Sequence, residues 1–181
     1  AALGLLAVTN IYRTVNASFW GVLFTGKLGF PEAQIAIYMA LRSVATAICI
    51  FVVSPRVSNV AHFRVPLWVG YGAFFVSQGL LVFMRPGAVP LLVLSVLLEA
   101  LAGALVNPMT EAVLSVALET HERARLTGMV YVFLILFTTP FGWIAGQLSA
   151  INRSLPFALL MGLFALGAVL VWVIDRRGPA L

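Results

Sequence analysis

Six long runs of mostly apolar residues divide this chain, and they constrain its fold more than any other feature of the sequence. A helix needs about 20 mostly apolar residues to cross the hydrocarbon core of a bilayer. Clusters of Gly, Pro and charged residues separate the runs, and the intervals are too short to hold a soluble domain. The predicted spans are about 3–24, 33–53, 66–84, 88–117, 126–149 and 155–174.

The composition excludes other classes of fold. Apolar residues make up 62% of the 181 residues and charged residues 9%, whereas soluble domains carry roughly 25% charged residues. High apolar content with low charge also excludes disorder. The single cysteine, Cys49, excludes a disulfide scaffold. The sequence therefore predicts an all-α, multi-pass membrane protein in which residues 1–181 form one bundle of six transmembrane helices.

The basic residues are divided unequally between the two sets of alternate loops. Loops rich in Lys and Arg tend to stay in the cytoplasm. We therefore expect the richer set and both chain ends to be cytoplasmic, in the inner (plasma) membrane of a bacterium. This distribution accounts for the net charge of +5 without a nucleic-acid partner. The richer set holds Arg56, Arg64, Arg123, Arg125, Arg176 and Arg177, and the other holds Lys27, Arg85 and Arg153.

The first run carries a polar stripe. Asn10, Arg13 and Asn16 are spaced three apart, which places them within about 120° on one face of a helix. An arginine at the centre of a span costs about 2.5–3.5 kcal/mol on the insertion scale. This helix should therefore insert only marginally by itself, and its stripe needs protein or water beside it. The stripe predicts either the lining of a cavity or hydrogen bonds to neighbouring helices.

Arg42 and Glu99 lie near the middle of the second and fourth runs. An arginine at this depth needs a carboxylate or carbonyl oxygens, and Glu99 is the natural partner by depth. An unpaired Glu99 would tend to be protonated, because burial disfavours the charged form. Two interpretations stay open: Glu99 is a proton carrier, or the two residues form a fixed ion pair that joins two helices.

The fourth run contains a second polar group near its end. Pro108 removes one backbone hydrogen-bond donor and kinks a helix. Asn107 and Glu111 are four residues apart and share one face. Glu111 either lines the inner mouth of a cavity or extends to the interface. Since every intramembrane charge falls in runs one, two and four, we expect these helices to face a cavity and runs three and six to face lipid.

No catalytic motif accompanies these charges. The sequence has no HExxH, GxSxG or Walker motif and no set of His and Cys at metal-binding spacing. His62 and His121 both fall in predicted loops. The expectation is a protein that is not an enzyme, with no catalytic residues, no metal and no cofactor.

Three segments resemble the major facilitator superfamily, and specifically its C-terminal six-helix half. The segment 28–35, Leu-Gly-Phe-Pro-Glu-Ala-Gln-Ile, is similar to the outer turn before the second helix of a half. The segment 119–128, with its Glu-Arg pair and Gly128, is similar to the loop between the fourth and fifth helices. Pro140, Gly142 and Gly146 resemble the fifth helix. The inner loop Ser54–Asn59 departs from the family signature and keeps only Arg56.

The resemblance implies half of a twelve-helix transporter, built as a three-plus-three inverted repeat. It implies a small-molecule substrate between two halves, with the first, second, fourth and fifth helices lining the cavity. We accordingly expect secondary active transport by alternating access, with protons as the candidate coupling ion. The substrate and ion pathway would include seven residues: Asn10, Arg13, Asn16, Arg42, Glu99, Asn107 and Glu111.

The partner and the substrate stay open at this stage. The lipid bilayer surrounds the bundle, and the facing partner is either a missing N-terminal six-helix half or a second copy of the chain. The alternative function is a self-contained, oligomeric six-span protein that acts as a channel or structural subunit. The substrate and the direction of transport cannot be read from these residues, because buried Arg and Glu occur in carriers of many solutes.

Overall fold

The computed structural model describes residues 2–57, 64–117 and 123–176. Each helix in these ranges coincides with one of the predicted runs, and the differences are confined to the helix ends. The prediction of an all-α fold is therefore confirmed. The six helices are α1 (Ala2–Gly26), α2 (Glu32–Val57), α3 (Arg64–Phe83), α4 (Val89–Ala117), α5 (Arg123–Ile151) and α6 (Leu155–Arg176).

Five of these helices are long and apolar enough to cross a membrane, which confirms a multi-pass membrane protein. The spanning segments are Ala33–Val53, Arg64–Phe83, Val89–Leu114, Arg125–Ile151 and Leu155–Val173. Helix α1 is long enough but falls outside this set, since Asn10, Arg13 and Asn16 lower its hydropathy. A sixth span formed by α1 stays a prediction.

Short turns at one end of the bundle join α1 to α2 and α3 to α4. Gly29 has φ +71° and Gly87 has φ +82°, a left-handed conformation that glycine adopts without a steric penalty. At the end of α1 the amide of Leu28 donates to the carbonyl of Leu23 at 3.2 Å, which closes the last turn. Turns this short require that the two helices they join run antiparallel.

Helix α4 lies in the interior of the bundle, packed against α2 and α3. Half of its most apolar segment is buried. Gly70 lets α3 approach α4 closely, because a Cβ at this position would lie 3.3 Å from the Cβ of Leu105. Helix α3 also packs on α6, where the rings of Phe74 and Phe164 stack with centroids 4.6 Å apart. Helix α1 packs on α5 and α6, with a smaller contact on α4.

Helix α2 is far less buried than α4, and its two exposed sides differ in chemistry. One side presents large apolar side chains, among them Ile37, Val44 and Phe51, which are 65%, 57% and 81% exposed. Such a side suits lipid. The other side carries Ser43, Thr46 and Ala47 and faces α1. This second side positions the site described next.

Candidate functional site

An ion pair joins α2 to α4 in the middle of both helices. Nη2 of Arg42 lies 2.9 Å from Oε1 of Glu99. The side chain of Glu99 is 1% exposed and that of Arg42 is 29% exposed. The pairing that the depth of these residues predicts is therefore present. It is asymmetric, because the carboxylate is buried while the guanidinium reaches the surface of the bundle.

Two residues of α1 also form hydrogen bonds with this carboxylate. The Tyr12 hydroxyl donates a hydrogen bond to Glu99 Oε1, and Asn16 Nδ2 donates to the same oxygen at 2.5 Å. Arg42 also reaches the Tyr12 hydroxyl, with Nη2 at 3.4 Å. We call Tyr12, Asn16, Arg42 and Glu99 the Glu99 cluster. It links α1, α2 and α4 through a single carboxylate oxygen.

The second oxygen of Glu99 remains open to another interaction. Oε2 is buried and has no hydrogen-bond partner among the described residues. A buried acceptor without a partner costs roughly 1–3 kcal/mol. A proton on Oε2 would remove the negative charge of the group but keep Oε1 available as an acceptor. Such a proton would itself need an acceptor, which the described residues do not supply at Oε2.

Tyr12 was not among the residues that the sequence indicated, because an aromatic ring in an apolar run is usually a packing residue. Its ring does pack, with its centroid 4.6 Å from that of Phe74 and 5.3 Å from that of Phe164. This packing directs the hydroxyl at Glu99. The available signal was the spacing of Tyr12 and Asn16, which are four residues apart and therefore on one side of the helix.

The polar stripe of α1 is divided between two sites. Asn16 is fully buried in the Glu99 cluster, whereas Arg13 is exposed. Asn10, at the other edge of the stripe, is half-buried and donates from Nδ2 to Thr138 Oγ1 of α5 at 2.8 Å. The residues separate because the stripe covers about 120° of the helix. Within a stripe this wide, one side chain faces α4 while another faces the outside of the bundle. The stripe therefore bonds to neighbouring helices at two positions and lines a cavity at its remaining part.

That cavity is small and polar, and it lies between α1, α4 and α5. Its volume is about 20 Å³, which is enough for a single water molecule. Arg13 and Glu111 stand at its rim with opposite charges and without a direct ion pair among the described residues. The polar groups around it are Thr9, Asn10, Arg13, Asn107, Thr110, Glu111 and Tyr131.

Glu111 and Asn107, which share one face of α4, both line this cavity. The Tyr131 hydroxyl of α5 reaches both carboxylate oxygens of Glu111, at 2.8 and 3.0 Å. Asn107 Oδ1 is buried and has no hydrogen-bond partner within the described part of the chain. Helix α4 continues through Pro108. Arg13, Asn107 and Glu111 thus form a site separate from the Glu99 cluster, and Asn10 lies in the lining of this second site.

A groove runs between α1 and α2, next to the Glu99 cluster. It has a volume of about 580 Å³, and Arg42 lies in its wall beside Ala17, Ser43 and Thr46. Arg42 therefore contacts the buried carboxylate on one side and the open groove on the other. A solute in this groove would meet a guanidinium whose position is fixed by Glu99.

The outward side of α1 continues the groove as a surface of small and polar residues. Thr14, Ala17, Ser18 and Thr25 are all exposed, with Arg13 at one end. We call this surface the polar α1 face. Its composition contrasts with α5, where Phe133 and Phe137 are 72% and 64% exposed. The polar α1 face is unsuited to lipid, so it needs water or protein beside it.

No family model, no curated protein and no solved structure matches this chain. Of the segments that carry the family resemblance, the loop 119–128 and the inner loop 54–59 lie partly outside the described residues. His62, His121 and Arg177 also lie outside them. What the protein does must therefore be inferred from the geometry of the Glu99 cluster and its surroundings.

Proposed function

We propose that this chain is the C-terminal six-helix half of a secondary active transporter of the major facilitator superfamily. It would move a small solute by alternating access, coupled to protons through Glu99. One observation carries the proposal: Arg42 contacts the buried carboxylate of Glu99 and at the same time lines the groove between α1 and α2. The solute would then bind Arg42 from the groove, and the proton would bind Glu99 on the other side of the same guanidinium.

The helix packing supports an inverted repeat. If α1–α3 and α4–α6 are two copies of one unit, exchange of the units maps α1 onto α4, α2 onto α5 and α3 onto α6. Under this exchange the contact of α1 with α5 becomes that of α4 with α2, and the contact of α1 with α6 becomes that of α4 with α3. The contacts α1–α4 and α3–α6 map onto themselves. All of these contacts are present among the described residues, whereas the contact of α5 with α6 has no α2–α3 counterpart of similar extent.

The polar α1 face supports a second bundle opposite this one. Arg13, Thr14 and Ser18 would be costly against lipid but acceptable beside a water-filled path between two halves. We infer that the facing partner is an N-terminal six-helix half or a second copy of the chain. In this arrangement the groove between α1 and α2 opens toward the partner.

The charges of the site favour a solute with an anionic or hydrogen-bonding group. Arg13 at the end of the polar α1 face is an exposed cation, and Arg42 is partly exposed in the groove. A guanidinium binds carboxylate or phosphate with paired hydrogen bonds. If a solute draws Arg42 away from Glu99, the carboxylate loses its counter-charge and gains a proton. The proposal places this exchange in the inner membrane of a bacterium, with both chain termini in the cytoplasm.

The size of the native polypeptide is the first test of this proposal. An antibody against the segment 175–181 would detect the chain in its own membrane. A mass of about twice 19.5 kDa is expected, because the proposal requires an upstream half of similar size. A native polypeptide near 19.5 kDa would contradict the proposal.

The second test is uptake by that native polypeptide in proteoliposomes with an imposed pH gradient. The vesicles would be offered a defined mixture of small carboxylates, sugars and amino acids, and their contents measured by mass spectrometry. We expect gradient-driven accumulation of at least one solute, lost in Glu99→Gln while solute exchange is retained. Glu32→Gln, at the start of α2, is the matched control and should accumulate normally. Accumulation by Glu99→Gln would exclude Glu99 as the proton carrier.

A further inference from the structure

A second groove lies on the outside of the bundle, between α3 and α6 and away from the Glu99 cluster. Its volume is about 620 Å³. The walls are aromatic and aliphatic, and small residues at Gly72, Ala165 and Ala168 leave it open. A Cβ at Gly72 would meet no atom within 4 Å. From Trp68 to Val76 the groove follows eight residues of α3, or about 12 Å.

The two helices cross this groove in antiparallel register. Phe74 stacks on Phe164, and the ring of Tyr71 packs against Gly167. The same register brings the start of α3 close to the end of α6. Trp68 and Trp172 therefore lie at one end of the groove, and each is 42% exposed. Tryptophans exposed in this way are typical of the boundary between hydrocarbon and headgroups.

Basic residues stand at this same end. Cζ of Arg176 lies 3.9 Å from the centroid of the Trp172 ring. Stacking uses the face of the guanidinium and leaves its N–H groups, which lie in the plane, pointing outward. Arg176 is exposed and forms no ion pair within the described residues. Arg64, exposed in the first turn of α3, adds a second positive charge at this end.

We propose that this groove is a binding site for one anionic phospholipid. An acyl chain lies along the groove between α3 and α6, and the phosphate binds Arg176 beside Trp172. Charge complementarity favours an anionic headgroup, and the apolar walls that continue from the cation favour a lipid over a soluble phosphate. Because this site shares no residue with the Glu99 cluster, it does not depend on the proposed transport function.

The test is native mass spectrometry of the purified chain in detergent with added lipid. Phosphatidylglycerol and phosphatidylcholine with identical acyl chains would be supplied at equal concentration. We expect about fivefold greater retention of phosphatidylglycerol, since its headgroup has a net negative charge whereas that of phosphatidylcholine is neutral overall, and one arginine near an anionic headgroup has roughly this effect. Arg176→Gln should clearly weaken the preference, leaving the share that Arg64 supplies, whereas the control Arg85→Gln, an exposed arginine beyond the opposite end of α3, should keep it in full.

A second variant tests the groove itself. Gly72→Leu places a side chain in the open groove, where the added Cβ meets no atom within 4 Å. It should reduce retention of both lipids and leave the fold intact by circular dichroism. Equal retention of the two lipids by the wild type would overturn the proposal, as would equal effects of Arg176→Gln and Arg85→Gln. Displacement of the lipid by glycerol phosphate, or a dimer in place of lipid adducts, would overturn it as well.

Discussion

Nη2 of Arg42 lies 2.9 Å from Oε1 of Glu99, yet only the arginine of this pair reaches the surface of the bundle. The buried partner cannot be resolvated when the pair is broken, whereas the exposed partner can. Removing one charge is therefore not equivalent to removing the other. This asymmetry gives the first prediction.

Arg42→Gln should lower the free energy of unfolding by about 3–5 kcal/mol, because it leaves the buried carboxylate without its counter-charge. Glu99→Gln should cost less, since Arg42 keeps access to water in the groove. The double variant Arg42→Gln/Glu99→Gln should be more stable than Arg42→Gln alone. Thermal unfolding of the three variants in a non-ionic detergent checks this order. A double variant whose losses are simply additive would show that the two side chains do not interact.

Tyr12→Phe should cost about 1.5–3 kcal/mol, the usual value for a hydrogen bond to a charged group. The ring contacts with Phe74 and Phe164 remain in this variant, so the loss isolates the hydroxyl. Tyr12→Ala should cost considerably more, because it also empties the space that the ring fills. The same unfolding measurement decides: equal midpoints for wild type and Tyr12→Phe would mean that the hydroxyl contributes nothing to the Glu99 cluster.

Two glycines of α3 provide a matched pair for the packing against α4. Gly70→Ala would bring a Cβ against Val106 and within 3.3 Å of the Cβ of Leu105. Overpacking of this kind typically costs 1–3 kcal/mol. Gly72→Ala meets nothing within 4 Å and should be neutral or stabilising by up to about 1 kcal/mol, since alanine favours the helix. If Gly70→Ala were as stable as Gly72→Ala, this result would contradict the close packing of α3 against α4 at Gly70.

Because the amine of Lys27, in the turn after α1, is partly buried, we predict that stability depends on pH. Its Nζ donates to the carbonyl oxygen of Val82 at 2.6 Å, and burial lowers the pKa of Lys27 from its ordinary value of 10.5. Between the lowered pKa and 10.5 the unfolded chain binds more protons than the folded one. Stability therefore rises with pH across this window.

Lys27→Met removes this titration and serves as the reference. The difference in unfolding midpoint, wild type minus variant, should increase as the pH rises from neutral toward 10.5. The change should be small, because Lys27 is only partly buried. A difference that stays constant or decreases over this range would contradict the burial of the Lys27 amine.

Much of the site followed from depth along the helices, and the parts that did not follow have physical reasons. Arg42 and Glu99 could be paired because both lie near the middle of their runs and an intramembrane charge needs a partner. Tyr12 could not be assigned, since a tyrosine in an apolar run packs with or without a polar role. Asn16 and Arg13 were expected on one surface. Because the stripe covers about 120° of the helix, the two side chains face different surroundings.

The sequence by itself determined that this is a membrane protein made of helices, and where each helix lies in the chain. The length of an apolar run and the spacing of Gly, Pro and charged residues are local properties of the sequence. They determine the helices because backbone N–H and C=O groups in lipid must form hydrogen bonds within their own segment. Only the tertiary structure decided that one oxygen of Glu99 joins α1, α2 and α4. It also decided that Arg42 alone of that pair faces a groove. Such relationships depend on the rotation of each helix about its axis, which is set by packing against neighbours that are distant in the sequence.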